Sequence, residues 1–418
     1  MPRTEPIRAV RGVRDILPGE LPLWNAAEQA GRDVARRFGY EEMVTPILEH
    51  AELIERVGED TDAVSKELYR FDDRGGRNLA LRPEATAGIV RAYFEGALNQ
   101  GPQPSRLYLF GPMFRYDRPQ KGRYRQFFQF DIEAIGSAAP GLDAEVIEIG
   151  QRWLNEVGLG DLRLEVNTIG DGRCRPAYLE KLKDYYRPFR AQLGGDSQLR
   201  LERNPLRLLD SKLPHEQAFK ERAPKITDHL CDECAAHWAQ VLRLLDAAGI
   251  EHQLNPYLVR GLDYYTRTVF EFYPGGATGQ QDALCSGGRY DGLAEAEGWP
   301  STGAVGFAGG LDRVVELMAG AGATPQEHPP ADVLVLPDGD LAVEAAEVAR
   351  ICRAVRPVAV DYEPKSLRAK MRSANKVGAK WVVLLSAEDA GRRQAQLKDM
   401  VSGDQVALDW VELPARLA

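Results

Sequence analysis

The spacing of hydrophobic residues changes character several times along the chain. Near the start, residues 21–39 carry apolar side chains at helical spacing, which predicts an amphipathic helix. The stretches 106–116 and 126–136 are rich in β-forming residues and are joined by a polar loop instead of a helix. Because strands joined in this way pair antiparallel, we predict an antiparallel sheet flanked by helices.

Two later changes in the pattern divide the rest of the chain. Residues 172–250 are charged with leucines at helical spacing, and strand patterns return at 254–290. We interpret 172–250 as a helical insertion that interrupts one sheet. The proline-containing stretch 321–330 predicts a linker between a first domain, 1–320, and a compact α/β domain, 331–418, in which β and α patterns alternate.

Length and composition exclude several classes of protein. A chain of 418 residues exceeds the size at which one core keeps growing, and 44% hydrophobic with 28% charged residues is typical of globular proteins. No stretch approaches the roughly 18 apolar residues of a membrane span, so we expect a cytoplasmic location. The net charge is -9, so any nucleic-acid partner must be held by local basic surfaces.

The five cysteines are odd in number and scattered, which argues against a disulfide framework. Cys231 and Cys234 form a C-x-x-C pair near His229 and His237, and two sulfurs with two nitrogens could complete a zinc tetrahedron. The spacing does not match known zinc fingers, and the same run has helical periodicity in which buried cysteines act as small hydrophobes. We therefore expect no tightly bound metal.

Polar residues gather at the ends of the predicted strands. Gln129, Asp131 and Glu133 alternate with apolar residues and so share one face of a strand. Arg115 ends the preceding strand, before a loop with four more cations, Arg118, Lys121, Arg123 and Arg125. A solvated face and a solvated loop would explain each feature separately, but together they indicate a surface for polyphosphate or an RNA backbone.

Two further segments each place an arginine next to a predicted strand. The stretch GAVGFAGGLDR leads from a strand through glycines into a helix, with Arg313 in the first turn. Arg260 precedes two phenols, Tyr264 and Tyr265, just before another strand. Arginines that lie far apart in sequence but beside strand ends suit phosphoryl or adenylyl transfer, in which positioning and charge neutralisation dominate and the substrate carboxylate itself can attack. The chain has no GxxxxGK[ST] phosphate loop.

In this order, the segments resemble the motifs of class II aminoacyl-tRNA synthetases. GYEEMVTPILEHAELI, MFRYDRPQKGRYRQFFQFDIEAIG and GFAGGLDRV are similar to the three general motifs. LVRGLDYYTRTVFEF, SGGRYDGL and LRPEATAG narrow the resemblance to the histidyl-tRNA synthetase family, and it covers nearly all of the chain. The resemblance implies an α+β class II catalytic domain, a C-terminal α/β anticodon-binding domain and a homodimer.

The resemblance also implies a reaction and its residues. Histidine would be joined to AMP from ATP, carried with Mg²⁺, and then transferred to the terminal adenosine of tRNA(His). Arg115 and Arg313 would bind the α- and γ-phosphates, and Arg260 would contact the substrate carboxylate and the α-phosphate. The residues implied for histidine are Glu84, Thr86 and Gln129 at its amino group, Glu133 and Tyr265 at its imidazole, and Tyr264 beside them.

For tRNA, the resemblance implies a contact of the acceptor end with Gln120, Lys121 and Arg123. In the C-terminal domain, four cations spaced four residues apart predict a basic stripe on one helix face: Arg368, Arg372, Lys376 and Lys380. On spacing alone, a solvated helix face explains these four residues equally well.

Two alternatives share the same core. One is the regulatory subunit of ATP phosphoribosyltransferase, a relative that binds histidine without catalysis and that typically lacks the C-terminal domain. The other is an RNA-binding protein built on an inactive synthetase core. Asp117, Phe128 and Ser286 depart from the commonest family pattern, and we expect none of the three at a ligand contact.

Overall fold

The computed structural model describes residues 6–58, 66–118, 122–211, 213–260, 264–277, 282–323 and 331–418. They belong to two compact units, 1–325 and 326–418. Most of the predicted linker, residues 324–330, lies outside the described ranges. Within those ranges, the helices are too short or too polar to cross a membrane.

The strands of the first unit, in chain order, are β1 (Glu41–Glu42), β2 (Leu48–His50), β3 (Arg70–Asp72), β4 (Asn78–Leu81), β5 (Ser105–Phe114), β6 (Gln126–Ile135), β7 (Leu162–Thr168), β8 (Gln253–Leu254), β9 (Thr266–Pro274), β10 (Cys285–Arg289) and β11 (Ala304–Gly310). Eight of them form one sheet in the order β1-β5-β6-β11-β10-β9-β7-β8. Its six inner strands pair antiparallel, as predicted, and the edge strands β1 and β8 pair parallel. Strands β2, β4 and β3 form a second, small antiparallel sheet in that order.

The helices of the first unit are α1 (Leu21–Arg37), α2 (Ala51–Gly58), α3 (Thr86–Glu95), α4 (Pro140–Glu156), α5 (Arg175–Tyr186), α6 (Gly195–Arg203), α7 (Gln217–Lys220), α8 (Asp232–Ala247), α9 (Leu293–Ala296) and α10 (Leu311–Gly320). Short 3₁₀ helices occur at Leu98–Gln100, Arg187–Gln192, Pro205–Leu208, Pro214–Glu216 and Ile226–His229. The main core lies between one face of the large sheet and α1, α4, α8 and α10. A second core joins the other face to α2, α3 and α9.

The helical insertion is shorter than the sequence indicates. Helix α8 falls inside the predicted range 172–250, but its Trp238, Val241 and Leu245 are buried in the main core against α4. The separate core of the insertion is formed by residues between Tyr178 and Ile226. Spacing showed that α8 is amphipathic without showing which surface its apolar face meets. The same sheet continues on both sides of the insertion, as expected.

The second unit is the predicted α/β arrangement. Its strands are β12 (Val333–Pro337), β13 (Val358–Val360), β14 (Trp381–Leu385), β15 (Gln394–Asp399) and β16 (Gln405–Asp409), in the order β13-β12-β14-β15-β16. β12 pairs parallel with β13 and β14, and β15 and β16 add antiparallel. Its helices are α11 (Ala342–Cys352), α12 (Leu367–Lys376), α13 (Ala387–Gly391), α14 (Leu413–Leu417) and a 3₁₀ turn at Trp410–Glu412.

One prediction about the basic stripe is wrong. Helix α12 ends at Lys376, and Gly378 follows with a φ of 72°, the left-handed conformation that terminates helices. Lys380 therefore lies beyond the helix, where its Nζ is 3.3 Å from Asp332 Oδ1. Arg368, Arg372 and Lys376 are exposed along α12 and form a stripe of three cations. We call these three residues the α12 stripe.

Candidate active site

The polar face of β6 lines a cavity of about 110 Å³, which we call the inner cavity. It lies on the side of the sheet that carries α3, opposite the apolar face that packs into the main core. All six residues that were expected to surround histidine meet here. The cavity is lined by Glu84, Thr86, Arg115, Gln129, Asp131, Glu133, Arg260, Tyr264, Tyr265, Ser286, Tyr290, Gly306, Phe307 and Ala308.

Glu84 enters the cavity from the N-terminus of α3. Its carboxylate accepts hydrogen bonds from the backbone N–H groups of Thr86, at 2.8 Å, and Ala87, at 3.0 Å. These donors have no partner within the helix, so the carboxylate is held in place by the first turn. The Tyr264 hydroxyl donates to Glu84 Oε2 at 3.5 Å. The segment LRPEATAG therefore holds a buried, hydrogen-bonded carboxyl group at one end of the cavity.

Glu133 stands at the centre of the cavity and is buried. The Thr86 hydroxyl donates to Glu133 Oε1 at 2.7 Å, and the Tyr290 hydroxyl donates to Oε2. Burial raises the pKa of Glu133 to about 8, although both hydrogen bonds act to lower it. A carboxyl group with this pKa is mostly protonated at neutral pH, so it can gain or lose a proton when a ligand enters.

Two further polar groups face the same space. Both carboxylate oxygens of Asp131 and Oε1 of Gln129 are buried without a hydrogen-bond partner in the described parts of the chain. Burial, and then the nearby Glu133, raise the pKa of Asp131 well above its usual range. Buried polar atoms are nearly always paired, so these positions indicate where a polar ligand binds.

Arg260 lies where the inner cavity meets a larger one. It forms an ion pair with Glu271, donates from Nη2 to Ser286 Oγ at 2.8 Å, and stacks over the Tyr265 ring at 5.5 Å from the centroid. Burial lowers the pKa of Arg260, but Glu271 and Tyr265 outweigh burial, and the net pKa is raised. The guanidinium therefore stays charged at the junction.

The adjoining outer cavity has a volume of about 430 Å³, and its lining includes four arginines and four carboxyl groups: Arg115, Arg123, Arg260, Arg313, Asp117, Asp210, Glu271 and Asp312. Arg115 is fixed by donation from Nε to the Pro83 carbonyl oxygen at 2.9 Å and stacks over Phe127. Arg313 donates from Nη1 to the Ala283 carbonyl oxygen at 3.1 Å. Arg123 also lines this cavity and pairs with Asp117. Arginines from the segment that follows β5 and from α10 thus converge on one space, which suits a polyphosphate.

Three site residues were not recognised as such in the sequence. Ser286 and Tyr290 belong to the quoted segment SGGRYDGL, but their hydrogen bonds to Arg260 and Glu133 cross between distant segments. Gly306 lines the cavity opposite Glu133. All three residues lie in sequence motifs that were already noted, but the sequence does not show which residues they contact.

Asp117, Phe128 and Ser286, which depart from the commonest family pattern, all line the outer cavity. That none of them contacts a ligand stays a prediction. Gln120 and Lys121 lie outside the described residues, so only Arg123 of the predicted acceptor-end group has a known place.

The histidines proposed beside the C-x-x-C pair are engaged elsewhere. His237 Nε2 lies 3.1 Å from Asp143 Oδ1, and His229 Nδ1 lies 3.3 Å from Lys181 Nζ. The run does form a helix, as its periodicity predicted, and Cys231 is the residue that caps the N-terminus of α8. Asp171 and Cys174, which no local sequence pattern connects with the pair, are its actual neighbours.

A mostly antiparallel sheet, two joined cavities above its polar face and a separate C-terminal α/β unit define a class II aminoacyl-tRNA synthetase. A model of the histidyl-tRNA synthetase family matches residues 12–170 and 192–314, and a model of an anticodon binding domain matches residues 332–418. The chain belongs to the histidyl-tRNA synthetase family. Residues 171–191 fall between the two matched segments.

Individual relatives agree over the full length. A histidine–tRNA ligase of Desulforudis audaxviator is 45% identical and covers 97% of each chain, and one of Solibacter usitatus is 45% identical and covers 98% of this chain and 99% of its own. The crystal structure of apo histidyl-tRNA synthetase from S. aureus aligns with a TM-score of 0.81 at 33% identity, covering 98% of this chain and 99% of that one. These comparisons confirm the predicted fold class and the prediction of a histidine–tRNA ligase. They give less support to the alternative, a regulatory subunit of ATP phosphoribosyltransferase.

Proposed function

We propose that the chain activates L-histidine with ATP in the joined cavities and then transfers the histidyl group to the 3'-terminal adenosine of tRNA(His). The observation that carries the proposal is the position of Arg260. This largely enclosed cation lines both the inner cavity, which carries carboxyl groups and phenols, and the outer cavity, to which Arg115, Arg123 and Arg313 also contribute. An amino acid in one and a triphosphate in the other would meet at Arg260.

The inner cavity suits histidine at both ends. Glu84, Thr86 and Gln129 offer oxygen acceptors for a protonated amino group, and Oε1 of Gln129 is buried with its hydrogen-bonding capacity unused among the described residues. An imidazole has two nitrogens, which Glu133 and Tyr265 would read as an acceptor and a donor. Tyr264 supports this arrangement through its contact with Glu84. A site that hydrogen-bonds its substrate in this way rejects analogues lacking those groups by roughly 10⁴- to 10⁵-fold.

The outer cavity would hold ATP, with Mg²⁺ bound to the phosphate oxygens. Arg115 would contact the α-phosphate and Arg313 the γ-phosphate. A carboxylate oxygen of histidine would attack the α-phosphorus, the bond to the bridging oxygen would break, and pyrophosphate would leave. The guanidinium of Arg260 would stabilise the negative charge that develops on the α-phosphate oxygens, because it is already desolvated and held by Glu271 and Ser286.

The second step needs tRNA, and we propose two surfaces for it. Arg123, together with Gln120 and Lys121 outside the described residues, would contact the acceptor end beside the outer cavity. The α12 stripe would contact the anticodon region through phosphates. We also propose a cytoplasmic homodimer. Its support is the exposed apolar group Val44, Ile47 and Leu48 in the segment that resembles the dimer-forming motif.

Replacement of Arg260 tests the proposed reaction. Arg260→Ala alone would leave Glu271 buried without its cation and would destabilise the fold. The informative variant is therefore Arg260→Ala combined with Glu271→Gln, compared with Glu271→Gln alone. We expect similar melting temperatures for the two proteins and a fall of about 10²- to 10³-fold in the single-turnover rate of histidyl-adenylate formation. Equal rates in the two proteins would show that Arg260 takes no part in the reaction.

A further inference from the structure

A second cluster of chemically active side chains lies outside the active site. One carboxylate oxygen and three sulfur atoms, from Asp171, Cys174, Cys231 and Cys234, all lie within 4.8 Å of one another. The cysteines are free thiols. Asp171 and Cys174 precede α5, at the start of the helical insertion, and Cys231 and Cys234 begin α8, just after its end. We propose that these four residues bind a structural zinc ion that joins the two ends of the insertion.

The donor set determines the metal. Three thiolates and one carboxylate are four anionic ligands, of which three are soft, and this combination favours Zn²⁺ over Mg²⁺ or Ca²⁺. Both pairs, Asp171 with Cys174 and Cys231 with Cys234, have two intervening residues, the spacing with which one turn supplies two ligands to one zinc ion. Four protein ligands leave no open position for a substrate. The site would therefore be structural.

The backbone around the cluster already has the shape of a metal-binding turn. The N–H of Asp171 donates to Cys174 Sγ at 3.4 Å, and the N–H of Arg173 donates to Asp171 Oδ1 at 3.0 Å. Gly170 has a φ of 64°, and a Cβ there would lie 2.6 Å from the Cys174 sulfur. On the other side, Cys231 and Cys234 occupy the cap and first turn of α8, where the helix dipole favours negative charge.

The surroundings offset the charge that such a site would carry. Three thiolates, one carboxylate and Zn²⁺ sum to a net charge of about -2. Arg267 and Arg173 place Nη2 atoms 3.2 Å and 3.1 Å from Asp171 Oδ2. Cations that hydrogen-bond a metal ligand orient it and are a common feature of metal sites. The competing explanation is that the arginines satisfy Asp171 and the sulfurs merely pack beside it.

A zinc ion here would also support the histidine-binding cavity. Arg175, which follows the first pair of ligands, donates from Nη2 to the Tyr265 carbonyl oxygen at 2.7 Å. The backbone N–H groups of Ile169 and Arg267 donate at 2.7 Å to the carbonyl oxygens of Arg267 and Gly170. The turn that presents two ligands is thus bonded directly to Tyr265 and to the start of β9, which Tyr265 immediately precedes. The four ligands would act as positioning residues for that strand.

Metal analysis of the full-length, untagged protein tests the proposal. After growth with zinc and purification without chelators, we expect about one zinc ion per chain by mass spectrometry of the metal. Cys231→Ser with Cys234→Ser should reduce the content at least tenfold. Cys352→Ala, a buried cysteine of the second unit, is the matched control and should leave the content unchanged.

Cobalt substitution gives a readout that does not depend on a folded serine variant. Wild-type protein reconstituted with Co²⁺ should show the visible spectrum of a tetrahedral thiolate site. Asp171→Cys should increase its sulfur-to-cobalt absorption by about one third, since four thiolates replace three. Absence of zinc and of the cobalt spectrum from wild-type protein would overturn the proposal, whether the thiols are reduced or Cys231 and Cys234 are joined by a disulfide. Equal zinc contents in the serine variant and the Cys352→Ala control would also overturn it.

Discussion

Gly306 lies directly opposite Glu133 in the pairing of β11 with β6, and the carboxyl group occupies the space where a side chain at Gly306 would be. A Cβ at this position would overlap Glu133 Oε2 and approach the Ile132 carbonyl oxygen. Glu133 is thus held between two hydroxyl donors and the bare backbone of the next strand. The position of the Glu133 carboxyl group depends on the absence of a side chain at position 306 of β11.

Gly306→Ala should therefore disable the histidine site. The added methyl group must displace the Glu133 carboxyl by about 1 Å or more, and misplacement of that size costs about 100-fold in rate. We expect this loss in kcat/KM for histidine in pyrophosphate exchange, with a smaller change for ATP. Gly320→Ala at the end of α10 is the control, because a Cβ there meets nothing within 4 Å. Normal activity of Gly306→Ala would show that Glu133 does not contact the substrate.

Histidine affinity should rise with pH. The pKa of Glu133 is about 8 in the free protein, so an imidazole N–H that donates to its carboxylate must displace a proton. Binding then tightens by up to about tenfold per pH unit below about pH 8 and levels off above it. Calorimetry in buffers of different ionisation enthalpy should detect proton release near neutral pH. Proton uptake, or none, would contradict this role.

Stability should respond to pH in the opposite direction. The folded-state pKa of Glu133 is raised from 4.5 to about 8, so its contribution favours the folded free protein below about pH 4.5 and is lost as the pH rises through about 8. Tyr290→Phe removes a hydrogen bond that lowers this pKa, so the pKa should rise further. In the Tyr290→Phe variant, the rise of histidine affinity with pH should therefore occur at higher pH than in the wild-type protein. Isothermal titration with histidine at a series of pH values would show this difference.

The α12 stripe should control affinity for tRNA without affecting adenylate formation. Replacing Arg368, Arg372 and Lys376 with alanine removes up to three phosphate contacts, which should reduce the slope of log affinity against log salt by about 2 to 3. Filter binding at several salt concentrations measures this slope. Lys380→Ala is the control, because Lys380 lies outside the helix beside Asp332. If the triple variant and the control behaved alike, the stripe would be only a solvated face.

The exposed apolar group near β2 should mediate dimerisation. Val44 is 83% exposed in the single chain, and Val44→Asp would introduce a charge into the proposed interface. We expect the dimer dissociation constant to increase roughly 30-fold or more, as for a central interface residue. Sedimentation velocity measures it. Val343→Asp, at a position 78% exposed in the second unit, should leave the dimer unchanged. A wild-type monomer would contradict the prediction.

Local patterns in the sequence were sufficient for much of the architecture. The alternation along β6 correctly separated Phe130, in the main core, from Glu133, in the cavity, because neighbouring residues of a strand face opposite sides. The glycine-rich strand and the helix that follows it, with Arg313 in its first turn, were likewise predictable from the sequence. The family resemblance, carried by the motifs, implied a set of histidine-contacting residues, and all of them line one cavity.

The rest depended on contacts between distant segments. The bonds of Tyr290 to Glu133 and of Arg260 to Ser286 join residues that no local pattern connects. Similarly, the C-x-x-C pair suggested nearby histidines, whereas folding places Cys174 beside it, 57 positions before Cys231. The misplaced Lys380 is different, because Gly378 in the sequence was a usable helix-end signal that the four-residue spacing obscured.

Amino-acid-dependent exchange of pyrophosphate into ATP tests the central claim most directly. The wild-type protein would be assayed without tRNA against each of the twenty amino acids. The account predicts rapid exchange with histidine and none above background with the others, because Glu84, Gln129 and Glu133 together read an amino group and an imidazole. Histidine binding without exchange would contradict it and would favour a non-catalytic regulatory relative.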